Sequence, residues 1–292
     1  MWVLFTLMAA FMQAWRNAFQ SELSRDVGVL GVTLARFIYA GPLAALYLAG
    51  LYLWQDAPLP SFNLKAAGFI VGAALMQILA TALMVRLFKL QNFAVGAGLA
   101  KSEALVAAIL GVLFFGTSLS LLGWGGVLLG TVAVFMLSTK GGVGGLSLKT
   151  VLLGLGSGSA FALTSLWVRE ASLNLMLPFP HRAAWVLLLV IVLQTILLLG
   201  YLLIKNRSEL DALLRRPKLT LAVSVSSCLG SIGWFSAMSL TAVPYVKTLG
   251  QVEIFFMMLV SAIYLKQSIK VKDMAALVLI GLAAVMVMWP SV

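Results

Sequence analysis

The sequence predicts an all-α polytopic membrane protein of ten transmembrane helices, arranged as two inverted five-helix repeats. Three observations lead there. Of 292 residues, 62% are hydrophobic and only 10% charged, whereas soluble domains carry about 25% charged residues. A globule in water has no means of hiding that much apolar surface. The apolar runs recur at lengths near the roughly 20 residues that cross a bilayer. The chain also matches itself at an offset of 150 residues.

Breaks at charge, Gly, Pro or Asn place the spans at 2–23, 30–53, 66–88, 93–115, 121–139, 150–169, 183–204, 219–241, 244–266 and 273–289. The opening "MWVLFTLMAAF" lacks the basic start of a cleaved signal peptide and reads as the first span. Connections are short; only "IKNRSELDALLRRPK" (204–218) is long and charged. No stretch fits a soluble domain, so residues 1–292 read as one membrane domain. Gly68–Gly72 and Gly126–Gly130 have the small-xxx-small spacing of close helix packing. Trp2, Trp54 and Trp289 read as interfacial anchors.

The internal match lays "LQNFAVGAGLAKSE" (90–103) over "LTAVPYVKTLGQVE" (240–253), pairing Leu90 with Leu240, Leu99 with Leu249 and Glu103 with Glu253. Leu129 and Leu279, Ala133 and Ala283, Met136 and Met286, and Phe11 and Phe161 follow at the same offset. The repeats are 1–140 and 150–289. Five spans is an odd number, so the second repeat enters the membrane from the opposite side. Inverted repeats are a common transporter architecture, with substrate held near the midplane between them.

"AWRNAF" (14–19), "TLARF" (33–37), "KSEALVAAILGVLFFG" (101–116) and "GQVEIFFMMLVSAIYLK" (250–266), in that order and spacing, resemble the ten-helix EamA-type members of the drug/metabolite transporter superfamily. The resemblance covers nearly the whole chain. It departs from the family where Pro often follows the acidic position, since Ala104 and Ile254 stand there. Thr117 and Gln267 replace the acidic residue that often ends these helices. The resemblance implies transport of small metabolites, commonly export of amino acids or related compounds, in a bacterial inner membrane.

Other function classes find little support. The net charge of +11 reads as membrane topology rather than nucleic-acid binding, and no basic groove with stacking aromatics is visible. A single Cys, Cys228, and a single His, His181, leave no disulfide and no Cys- or His-based metal site. No cofactor is expected. "GLGSGSAF" (154–161) lacks the Lys-Ser/Thr ending of a phosphate loop, and no nucleophile–base constellation suggests an enzyme. The expected partners are the lipid bilayer and a small-molecule substrate; oligomeric state has no signal. A lipid or lipid-linked-solute flippase is the alternative reading, and a membrane accessory protein a weaker one.

The Lys and Arg residues separate topology from mechanism. Loops after odd-numbered spans, with adjoining span ends, hold thirteen of twenty; the even loops hold Lys65, Arg169 and Arg182. The positive-inside rule puts the odd loops in the cytoplasm and both termini outside, opposite to the usual picture of the family. Arg16, Arg36, Lys101 and Lys247 remain, each within a span. A charge at bilayer depth costs about 2.5–3.5 kcal/mol on insertion scales, so such a residue faces a wet cavity or a partner.

Arg16 has Asn17 beside it as a second polar group at depth. Arg36 reads equally as a cavity residue or as a snorkeller reaching the interface. Lys247 reads first as a snorkeller and second as a ligand. Lys101 and Glu103 are two apart, do not face each other on a helix, and should seek different partners. Alternation of spans puts Arg16, Arg36 and Lys101 in one membrane half and Lys247, Gln251 and Glu253 in the other. Trp234 and Tyr245 either shape the cavity or mark the interface. The expected substrate-binding set is thus Arg16, Asn17, Arg36, Lys101, Glu103, Trp234, Tyr245, Lys247, Gln251 and Glu253. Its cationic majority favours a carboxylate- or phosphate-bearing solute. Glu103 and Glu253 are the candidates for proton coupling.

Overall fold

The structure is a computed structural model that describes residues 1–90, 99–138, 147–264 and 271–288. It is all-helical: no strand occurs among the described residues. The helices are α1 (Trp2–Leu23), α2 (Val29–Ala35), α3 (Ala40–Trp54), α4 (Leu64–Leu90), α5 (Glu103–Phe114), α6 (Leu121–Ser138), α7 (Leu148–Asn174), α8 (His181–Lys205), α9 (Arg207–Leu214), α10 (Pro217–Leu240), α11 (Val243–Leu249), α12 (Glu253–Ile263) and α13 (Val271–Met288). A 3-10 turn, Gly250–Val252, links α11 to α12.

Among the described residues, six helical stretches are long and apolar enough to cross a membrane: Val29–Trp54, α4, α7, α8, α10 and Val243–Val260. Shorter apolar helices lie at Glu103–Phe114, Leu121–Ala133 and Val278–Val287. Polarity is distributed inside out. Leu46, Leu113, Phe114, Ile196, Val278 and Leu282 are exposed, while Arg16, Arg36, Lys101, Glu103, Lys247 and Glu253 are buried. That arrangement suits a hydrocarbon solvent.

Local chemistry sets the boundaries. The Ser147 hydroxyl caps α7 by accepting from the Thr150 amide. Pro217 and Pro244 stand in the first turns of α10 and α11, where a missing N–H is harmless. Gly116, at φ +63°, turns the chain after α5 so that the Thr117 amide donates to the Gly111 carbonyl.

The helices run between two ends. At one, Lys89 donates to the Val27 carbonyl, Arg216 pairs with Asp26 at 2.6 Å, and the Tyr264 hydroxyl donates to Glu22. There too the Glu209 carboxylate accepts from the Gly31 amide at 2.7 Å; no Cβ would fit on Gly28 beside that carboxylate. At the other end, Asn63 donates to the Asn174 carbonyl, Trp185 to the Tyr52 hydroxyl, and Phe5 meets Phe179 edge-on. Arg169 and Arg182 are occupied at this second end. Arg169 Nη1 donates to the carbonyls of Met238 and Thr241, and Arg182 to the hydroxyl and carbonyl of Ser239. Both guanidiniums therefore cap the C-terminus of α10, where cations are favoured.

The most extensive helix pairs are α4 with α7, α1 with α10, and α6 with α13. Next come α5 against α7 and α12 against α1, with α3 against α8 and α5 against α11 completing the interior. Gly126 and Gly130 face α13 as their spacing predicts: a Cβ on Gly126 would lie 2.8 Å from the Ala283 carbonyl, and one on Gly130 3.2 Å from Ala283 Cβ. Gly72 receives the Trp167 ring, but Gly68 has open space around it, so that half of the Gly68–Gly72 pair is not a packing contact. "GLGSGSAF" gains a packing role. Gly158 admits the turn before α5, with the Ala100 carbonyl and Glu103 amide each 3.0 Å from where its Cβ would stand.

Three predicted spans are broken among the described residues. The run 30–53 divides into α2 and α3 around a turn at Arg36–Tyr39, 244–266 divides at the 3-10 turn, and 93–115 has a turn at 101–102 ahead of α5. Ser224 of α10 meets the backbone groups freed at the first break, donating to the Ala35 carbonyl at 2.6 Å and accepting from the Tyr39 amide at 3.2 Å. Thr195 donates to the Phe37 carbonyl. An interrupted helix in hydrocarbon needs such partners. Trp54 is exposed, as an anchor would be; Trp2 packs against the core, and Trp289 lies outside the described residues.

Candidate functional site

Four of the buried charges sit at helix ends, on the side that each helix dipole favours, while Arg16 lies within α1 and Lys101 in the turn before α5. Glu103 and Glu253 occupy the first turns of α5 and α12, Lys247 the last turn of α11, and Arg36 follows the last residue of α2. Carboxylates are favoured at N-termini and cations at C-termini by about 0.3–1 kcal/mol each. The helix breaks therefore create the places where charge is tolerated at depth.

Glu253 is the most heavily bonded of these groups. It accepts from Gln13, from Asn17 Nδ2 at 2.8 Å and from Lys101, with which it forms an ion pair. Arg16 approaches from behind, donating through Nε and Nη2 to Asn17 Oδ1 at 3.2 and 2.7 Å. Glu103 is held more loosely, 3.5 Å from Lys247 and 3.7 Å from Lys101. The Lys247 ammonium lies 4.4 Å from the centre of the Trp234 ring, and the indole N–H donates to Gln13 Oε1 at 2.8 Å. The contacts close a ring: Lys247, Trp234, Gln13, Glu253, Lys101, Glu103 and back to Lys247. Gly250 lets Trp234 lie so close, since a Cβ there would stand 2.5 Å from the indole.

This ring borders a cavity lined also by Arg36, Gln77, Met84, Ala100, Phe161, Thr164, Ser165, Ser231, Phe235 and Met238. It is narrow, with about 30 Å³ open to the centre of a water-sized sphere, room for a few waters. Arg36 is 2% exposed. Its Nε donates to Ser227 Oγ at 3.0 Å and Nη1 to Thr81 Oγ1 at 2.8 Å. Its guanidinium carbon lies 5.3 and 6.0 Å from the ring centres of Phe37 and Phe161.

Seven predicted residues meet at the cavity: Asn17, Arg36, Lys101, Glu103, Trp234, Lys247 and Glu253. Three do not. Arg16 stands behind Asn17. The Tyr245 hydroxyl turns to the Ser118 carbonyl at 3.3 Å, because α11 points that side chain outward beside Leu105, Leu119 and Trp124. Gln251 is buried against Gly130, with neither amide atom partnered among the described residues. The snorkelling readings of Arg36 and Lys247 are overturned. Both are buried, because the helix breaks carry them inward instead of leaving them near a span end. Lys101 and Glu103 do take different partners, yet also approach each other, since the chain at 101–102 is a turn rather than regular helix. Lys101 and Glu253, expected in opposite membrane halves, are in direct contact.

Gln13, Gln77, Ser231, Thr164 and Ser165 escaped sequence reasoning. Their signal is i,i+4 spacing: Gln77 precedes Thr81 and Ser227 precedes Ser231 by one turn, putting each pair on one helix face.

No family profile and no curated protein matches the chain. Among solved structures, it is similar to one described only as "Crystal structure of protein", at TM-score 0.67 and 16% identity, over 97% of this chain and 96% of that one. At that identity the likeness establishes a shared fold across essentially the whole of both chains.

Proposed function

We propose that the protein is a secondary transporter, an exporter of a small polar metabolite such as an amino acid or a related zwitterion or anion. In this reading it works by alternating access between two inverted five-helix repeats, as in drug/metabolite transporters of the EamA type, in a bacterial inner membrane. The observation that carries the reading is the ring of buried charges bordering a cavity between residues of both halves. Buried ion pairs add little stability over apolar packing of the same shape. Their retention here suits a path for a polar solute.

The helix pairings support the repeats. Exchanging the halves turns α1 with α10 into α7 with α4, and α12 with α1 into α5 with α7; α6 with α13 and α3 with α8 map onto themselves. Counterparts run in opposite senses. α1 starts at the Phe5–Phe179 end, and α7 finishes there at Asn174. The narrow cavity fits a closed intermediate of the cycle. Glu103, loosely held between two lysines, is the better proton carrier, while Glu253 is saturated by three donors.

The test is protein-dependent, saturable flux of a labelled amino-acid panel in proteoliposomes, with and without a pH gradient. Flux above protein-free vesicles for at least one solute is expected. No flux across neutral, acidic and basic members would remove the reading.

A further inference from the structure

The two cavity carboxylates face four buried cations: Arg16, Arg36, Lys101 and Lys247. The ring engages Lys101 and Lys247 with Glu253 and Glu103. Arg16 reaches Glu253 through Asn17. Among the described residues Arg16 bonds only the Asn17 amide oxygen and Arg36 only neutral hydroxyls, but of these two only Arg36 lines the cavity. A guanidinium has five N–H donors; Ser227 and Thr81 take two, and Nη2 has no partner among the described residues. Arg36 lines the cavity, so these donors have one direction in which to be satisfied. A buried cation without a counter-charge is costly.

Its surroundings extend the pattern. Gln77, one turn before Thr81 on α4, uses its oxygen to accept from Gln194 at 2.7 Å, which leaves the Gln77 amide N–H₂ as a cavity donor. Ser231, one turn after Ser227 on α10, adds a hydroxyl. The group that fits one guanidinium and neutral donors between Phe37 and Phe161 is flat and singly charged. A carboxylate takes the planar fork of Arg bidentately. A phosphate dianion would call for further cations, and both lysines are engaged.

We propose that Arg36 is the docking point for the carboxylate of the solute, with Gln77 and Ser231 as neutral donors beside it. The inference rests on the transport reading of the same cavity and names its substrate class: a small organic acid or zwitterion bound by its carboxylate. The solute supplies the directly bonded carboxylate that Arg36 lacks among the described residues.

The experiment titrates purified wild type, R36Q and R36K in detergent with propionate, ethylammonium and inorganic phosphate, reading the ligand-dependent rise in thermal midpoint. Propionate is expected to bind wild type, and ethylammonium is not. R36Q should weaken propionate by about tenfold or more, the loss of a charge-assisted hydrogen bond. R36K keeps the charge but lacks the fork, so it should weaken propionate several-fold; it carries the test if R36Q fails to fold. Wild-type propionate affinity in R36K, no propionate binding to wild type, or tighter binding of phosphate than propionate would overturn the proposal. Alanine flux in proteoliposomes separates the two readings. Flux that persists unchanged in R36K and R36Q defeats the Arg36 assignment and leaves transport standing. Arg36-dependent binding without flux of any carboxylate defeats transport and leaves the docking site.

Discussion

Lys101 and Glu253 form a buried ion pair across 152 positions of sequence, joining the break before α5 to the start of α12. Glu103, the counterpart of Glu253 at the 150-residue offset, has no comparably close partner among the described residues: its cations stand at 3.5 and 3.7 Å. The two glutamates occupy matching places and have different work, and they should respond differently to mutation.

Lys101→Met strips Glu253 of the one cation directly bonded to it among the described residues, and breaking a truly buried pair costs about 3–5 kcal/mol. Replacing both charges, as in Lys101→Met with Glu253→Gln, removes the stranded carboxylate while an amide oxygen still accepts from Asn17. The double variant is expected to melt above the single. Folded yield and thermal midpoint in detergent form the double-mutant cycle, and a double variant no more stable than Lys101→Met would show the pair uncoupled.

Glu103→Gln removes the carboxylate that faces buried Lys247 at 3.5 Å, so some loss of thermal midpoint is expected, smaller than for Lys101→Met because Glu103 makes only the longer contacts. On the proposed transport function its effect falls on coupling: pH-driven flux is expected to disappear while substrate exchange, which moves no net proton, continues. Wild-type pH dependence in a well-folded Glu103→Gln protein would remove Glu103 from the proton path.

Gly126→Ala and Gly68→Ala should move in opposite directions. The first pushes a Cβ to 2.8 Å from the Ala283 carbonyl, and overpacking of that kind costs about 1–3 kcal/mol. The second meets nothing within 4 Å, so the change should stabilise by about 0.5–1 kcal/mol through helix propensity. Paired thermal melts decide it.

Orientation follows from charge. Two of the three cations at the Phe5–Phe179 end are occupied capping α10, which leaves Lys65 alone there and sharpens the thirteen-to-three contrast. In a Cys228→Ala background, a cysteine at exposed Ser208 should resist an impermeant thiol reagent in intact cells, while one at exposed Ser61 should label. The reverse pattern would put both termini in the cytoplasm.

Much of the fold was legible because lipid enforces long apolar runs: α1, α4 and α8 lie within two residues of their predicted limits. The breaks were not, since hydropathy reads 29–54 as one stretch and is blind to Ser224, which makes the Arg36–Tyr39 turn affordable from another helix. That omission misplaced the charges too. Depth counted along unbroken helices left Arg36 and Lys247 within reach of an interface, when each instead ends a short helix in the interior. Gln13, Gln77 and Ser231 were invisible one at a time, because single uncharged polar residues are ordinary in apolar spans; only their convergence gives them meaning.

The reach of the Lys101–Glu253 pair also sets a timetable for biosynthesis. The ribosome adds roughly 5–20 residues per second, so the 152 positions between them take roughly 8–30 s to make. Through that interval Lys101 has entered the membrane region without its partner, and Asn17 has waited longer still. The first half must be held by water or the insertion machinery until α12 emerges, and a chain truncated before residue 253 should remain a client of that machinery.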